Sequence, residues 1–190
     1  MNVNFEVKRS INLLLFLIHS FGGRAKPGVV FLIFYFSDLR FLHIHGRLAF
    51  GNVYLAMQAG PAPLNILGLL IEIANANGNL GATLRHYIAY NETGELVPNV
   101  RYEPEYLSAE EVECLFLIIQ KYKNTDFAVL KTIAMGRAWQ YAGADGVISL
   151  REMTEESMII DALIGAIVSR NNFVAKMGDS NPATSDVLKK

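Results

Sequence analysis

Apolar positions along the chain fall into blocks with helical spacing, separated by glycine and proline. Residues 5–18 carry apolar side chains through most of their length and are followed by Gly22-Gly23, which predicts a first helix. Lys26-Pro27-Gly28 opens a second, because proline in the first turn gives up only an N–H that a helix start leaves unpaired. This helix is predicted over 27–44 with Gly46 as its stop. It is apolar on nearly every side, so it should be covered from more than one direction. Residues 48–57 alternate in part around Phe50-Gly51-Asn52, the pattern of a short β-hairpin. Gly60-Pro61-Ala62-Pro63 reads as a rigid turn, since each proline fixes φ and removes a donor. A third helix is predicted over 63–76, with Asn65, Glu72 and Asn75 sharing one face, and Asn77-Gly78-Asn79 ends it.

In the second half, residues 84–90 and 96–102 flank Asn91-Glu92-Thr93-Gly94-Glu95, a second hairpin signal. Ser108 and Glu111 have the spacing of a capping box and start a helix reaching Lys121. A shorter helix follows over 126–135. Ser149 and Glu152 repeat the capping-box spacing and open a last helical region extending to about Arg170, before a polar tail. The expected fold is mainly α: a single compact helical domain with one or two short β-hairpins forming a small antiparallel sheet. The expected partition is a domain over 1–154, a helical extension over 155–177 and a flexible tail over 178–190.

Composition sharpens this picture. Of 190 residues, 18% are charged and 52% hydrophobic, and the net charge is −1. An ordinary soluble domain carries roughly 25% charged residues. The apolar content excludes intrinsic disorder. The near-zero charge and scattered basic residues argue against a nucleic-acid binder. Between residues 27 and 90 only Asp38, Arg40, Arg47, Glu72 and Arg85 are charged. Such a stretch must be covered by the chain's own helices, by a partner, or by Asn and His side chains.

Candidate chemistry is sparse. The four histidines are His19, His43, His45 and His86, and no Cys or carboxylate cluster joins them at a metal-ligand spacing. No phosphate-binding glycine loop and no nucleophile elbow is present. The lone Cys114 lies in the apolar run Cys114-Leu115-Phe116-Leu117 and reads as a core residue of a reducing compartment. The N-terminus imitates a signal peptide, but Glu6 and Asn12 interrupt the pattern, and no apolar run reaches the length of a membrane span. A cytoplasmic protein without catalytic residues, metal or cofactor, and without membrane or nucleic-acid partners, is the expectation.

One segment is more specific than the rest. Phe34-Tyr35-Phe36-Ser37-Asp38 is followed by Leu42, Gly46-Arg47, Gly51-Asn52, Tyr54, Met57 and Gly60-Pro61-Ala62-Pro63. This resembles the Panacea domain of the SocA-like antitoxins, with its Tyr-x-x-Asp, Gly-Arg, Thr-Gly-Asp and Gly-Pro-Val-Pro pattern. Phe50, Asn52 and Ala62 depart from the family's Thr, Asp and Val, and Met135-Gly136-Arg137 stands where a His is common ahead of the Trp, here Trp139. Leu107-Ser108, Tyr122 and the stretch ending at Met153 are similar to later family features, so the resemblance spans about 5–154. It implies an antitoxin of a bacterial or prophage toxin–antitoxin pair that neutralises a cognate protein toxin by direct binding. The alternative it implies is an adaptor that delivers the toxin to an AAA+ protease. Homo-oligomerisation stays open. Interface cores favour aromatic, Met and Arg side chains, so Phe34, Tyr35, Asp38, Arg47, Tyr54, Met57, Pro61 and Pro63 are the expected partner-binding residues. For Tyr35, Asp38 and Arg47 a structural role is the competing reading, with Asp38 tethering the Gly46-Arg47 turn.

Overall fold

The computed structural model describes residues 4–51, 53–75 and 78–159. Among them the chain is mainly α, with two small antiparallel sheets. Helix α1 (Phe5–Ser20) starts at Asn4, whose side chain accepts the amide of Val7, and residues 10–18 are buried without a break. Asn12, which interrupts this apolar run, is buried too. Its amide group donates to the carbonyl of Lys8, and its oxygen accepts the amide of Glu103 at 2.6 Å. The break in the run is therefore a tether between distant segments.

Helix α2 (Pro27–His45) is the axle of the fold and ends at Gly46, whose φ of +69° suits a residue without a Cβ. The expectation of burial on several sides is met: residues 32–39 are all buried. Its mean hydropathy of 1.4 and its length are those of a membrane span, yet two thirds of it is enclosed by the chain's own elements.

The hairpin in the middle of the sequence lies further along than the turn signal suggests. Strand β1 (Tyr54–Met57) pairs antiparallel with β2 (Gly60–Pro63) in register Tyr54 with Pro63 and Met57 with Gly60. Phe50-Gly51 is not its turn, and Gly60-Pro61-Ala62-Pro63 is a buried strand rather than a turn. Two prolines fit a strand here because β2 is the edge of the order β2-β1-β5. The amide of Ala56 bonds the carbonyl of Gly146 on the opposite side of β1. Its neighbour Pro61 therefore occupies a non-hydrogen-bonded pair, where no donor is required.

Helix α3 (Leu64–Ala74) packs Ile66, Leu70 and Ile73 inward. Its polar residues do not form the solvent face: the amide group of Asn65 donates to the carbonyl of Phe50, while Leu64 (44% exposed) and Ile71 (50%) point outward. Helix α4 (Asn79–Arg85) follows, and Gly81 is the contact that joins it to α3. The second hairpin is present with shorter strands than expected, β3 (Ile88–Tyr90) and β4 (Leu96–Pro98). Its loop is organised by the Asn91 side chain, which accepts the amides of Thr93 and Glu95. β4 also bridges to Ala25, just before α2.

Helix α5 (Ala109–Tyr122) has the full capping box, with Ser108 and Glu111 bonding each other's amides. Helix α6 (Phe127–Ala134) is capped by Asp126. Helix α7 (Arg137–Ala142) and the two-residue strand β5 (Val147–Ile148) precede α8 (Leu150–Ser157), capped by Ser149. The expected extension and tail beyond Ile159 lie outside the described residues.

Gly81 generates a stability prediction. A Cβ there would overlap the carbonyl oxygen of Glu72 and lie 2.7 Å from that of Asn75, both backbone atoms that cannot swing aside. Gly81→Ala should lower unfolding stability by about 2 kcal/mol or more, read as a shifted urea midpoint. Gly68→Ala, with open space around its site, should be neutral or slightly stabilising.

Candidate functional site

The segment from Tyr35 to Pro63 closes around one carboxylate. Asp38, on the inward face of α2, has 0% exposure. Its Oδ1 accepts the amides of Ala49 (2.6 Å) and Phe50 (3.0 Å). Its Oδ2 accepts the amide of Gly51 and the hydroxyl of Tyr54, each at 2.6 Å. These are charge-assisted bonds. The tethered segment is thus the loop 49–51 and β1, not the Gly46-Arg47 turn. Gly51 is required because a Cβ would fall 2.6 Å from the Tyr54 ring.

The loop's carbonyls are held as firmly as its amides. Arg9 Nη2 donates to the carbonyl of Ala49 at 2.7 Å and to Glu111 Oε1 at 2.6 Å. Glu111 uses its other oxygen to cap α5. Asn65 takes the carbonyl of Phe50. Phe50 packs its ring against Phe34 and Phe41, at 6.1 and 5.9 Å between centroids. One short loop therefore joins α1, α2, α3 and α5.

A second buried carboxylate lies beyond it. Glu156 of α8 accepts the hydroxyl of Tyr35 at 3.0 Å and the amide of Ala138 at 3.2 Å. Gly136 makes room for it, since a Cβ there would collide with the carboxylate. The rings of Tyr35 and Tyr54 meet edge to face at 5.2 Å. The result is a buried line from Glu156 through Tyr35 and Tyr54 to Asp38. Burial pushes both carboxyl pKa values up, against the pull of their hydrogen bonds. Burial, then the adjacent carboxylate, drives both tyrosines well above the usual value of 10.0.

This geometry corrects the expected partner-binding set. Phe34, Tyr35, Asp38, Tyr54, Pro61 and Pro63 are buried and present no surface to another molecule. Their residue types suit an interface, but here the same types build a core with internal hydrogen bonds. Met57 is half-buried, and its carbonyl accepts the indole N–H of Trp139 at 3.0 Å. Arg47 alone of the eight is exposed, with its guanidinium over the Phe41 ring at 4.9 Å. It borders an open groove of about 670 Å³ between the start of α1, the loop and α3. His43 and His45 are exposed at the end of α2, and among the described residues no group of three or more potential metal ligands occurs. Cys114 is buried, its thiol donating to the carbonyl of Ser37.

A family model described as "Antitoxin SocA-like, Panacea domain" matches residues 32–140, more than half of the chain. The chain belongs to the SocA-like antitoxin family. The match starts inside α2 and ends inside α7, so Panacea residues supply the Asp38 cluster, while Arg9 and Glu156 come from flanking helices. No curated protein and no solved structure gives a significant match.

Two predictions follow from the buried line. Asp38→Ala orphans four donors and should cost about 3 kcal/mol or more in chemical denaturation, against about 1–3 kcal/mol for Tyr54→Phe. A tyrosine whose pKa is higher in the folded than in the unfolded chain contributes full stability below the unfolded value and loses it as pH climbs through the folded one. Stability should therefore fall steeply above about pH 10, and less steeply in Tyr54→Phe. Equal alkaline slopes for the two proteins would contradict the assignment.

Proposed function

We propose that this chain is the antitoxin of a bacterial or prophage toxin–antitoxin pair and neutralises its toxin in the cytoplasm by direct binding. The observation that carries this reading is the match of residues 32–140 to the SocA-like antitoxin family. The structure supports it in kind. The family motif is spent on fixing the 49–51 loop to α2 and α3, which holds the helices that carry the outer surface in place. A pre-organised surface binds with a smaller ordering cost than a loose one. The lone, buried thiol fits a reducing compartment. In this reading the chain performs no catalysis.

The decisive experiment expresses the product of the adjacent gene alone and together with this chain. Growth arrest in the first case and growth in the second is the expected outcome. Unimpaired growth with the adjacent gene alone would refute the assignment. Toxin half-life separates masking from protease delivery: masking leaves it unchanged or longer, whereas delivery to an AAA+ protease shortens it.

A further inference from the structure

The face formed by α2 and α5 has a layout that specifies a partner. Phe36 packs on Tyr122 at 5.3 Å, while His45 and Glu110 line one groove at the opposite end, so the two helices run antiparallel. The C-terminal end of α2 therefore lies beside the N-terminal end of α5. Helix dipoles favour cations at the first and anions at the second: Arg47 follows the end of α2, and Glu110 stands in the first turn of α5. Beside them lies a groove of about 280 Å³ floored by Phe41 and Cys114, with Arg40 and His45 of α2 and Glu110 and Glu113 of α5 in its lining. Its walls are Ile44 and Leu117, which are 55% and 42% exposed. The Glu110 carboxyl is held below its ordinary pKa by its own amide and by Ser108, and His45 and Arg47 lie close enough to add to this.

The groove is smaller than the range of about 300–1,000 Å³ usual for small-molecule pockets. Exposed apolar walls beside the carboxylates of Glu110 and Glu113 fit an amphipathic helix with a basic edge laid into a groove. We propose that the toxin docks here through a helix with an apolar ridge and a basic edge toward Glu110 and Glu113. This rests on the antitoxin reading above and adds the surface and the chemistry of the partner. The outer face of α3 carries Leu64 and Ile71 at comparable exposure and serves as the control surface.

The test uses the full chain and the purified product of the adjacent gene, with binding measured by calorimetry. Leu117→Glu and Ile44→Asp should each weaken binding about tenfold or more, the usual effect of losing an interface anchor. The double reversal Glu110→Lys, Glu113→Lys should do the same. Ile71→Glu on α3 should change it less than about twofold. Circular dichroism and thermal melting confirm that the variants are folded; a photo-crosslinking residue in place of Leu117 supplies a readout that leaves charge unchanged and should capture the adjacent gene's product. Wild-type binding with unaffected groove variants, or loss of binding only in Ile71→Glu, overturns the groove and leaves the antitoxin reading standing. A crosslink from position 117 to a second copy, or to the same chain's own residues, in the presence of bound partner also overturns it. Absence of any binding by the wild-type chain overturns both.

Discussion

The structure depends on a carboxylate that is out of reach of water. Asp38 offers two oxygens to four donors, three of them successive backbone amides and the fourth the hydroxyl of Tyr54. A buried charge is tolerated only when its hydrogen-bonding capacity is met. Conversely, three buried amides in a loop need an acceptor that no neighbouring strand provides. Each side of the contact solves the other's problem. Because α2 lies at the centre, fixing the loop to it also fixes where the β1–β2 hairpin can begin.

The remaining polar groups of the interior extend the same logic outward. Arg9 links the loop to the capping residue of α5, and Asn65 links it to α3. Tyr35 carries the pattern to Glu156 and so anchors α8, whose contribution comes from beyond the family match. Polar networks of this kind specify one arrangement of helices among several that apolar packing alone would permit. The shortage of charge between residues 27 and 90 has a corresponding origin. A large share of that segment is core, and its buried charge, Asp38, serves the interior rather than the surface.

Much of the fold was legible in the sequence, for reasons that are local. Gly46 and Ser108 with Glu111 mark helix ends through chemistry confined to a few residues, and the structure places those ends accordingly. Helices α4 and α7 were not anticipated. Each begins at a glycine without a side-chain cap and has at most seven residues, too short for a periodic pattern to declare itself. The β1–β2 hairpin was misplaced because Phe50-Gly51 carries the composition of a turn, and only the distant Asp38 shows that these residues serve a tether. The candidate site failed for a related reason. Tyr, Phe and Asp in a distinctive spacing mark a specific interaction, but spacing does not say whether the interaction is internal. The walls of the α2–α5 groove are not legible in the sequence because Ile44 and Leu117 are far apart in the chain, and an antiparallel pairing brings them together.

The prolines of β2 have an effect beyond shaping a hairpin. Most outer strands carry alternate amides that face away from their own sheet and invite a strand from elsewhere. In β2 the positions opposite Tyr54 and Ala56 are Pro63 and Pro61, respectively, which have no amide to offer. That border can be sealed by apolar side chains such as Leu32, which lies against Gly60, without stranding a donor in the interior. The sheet is thereby given a direction. Any extension by a foreign strand would have to join beside β5, where Val147 is exposed, so the chain can meet other proteins through its helices while its sheet stays closed on one side.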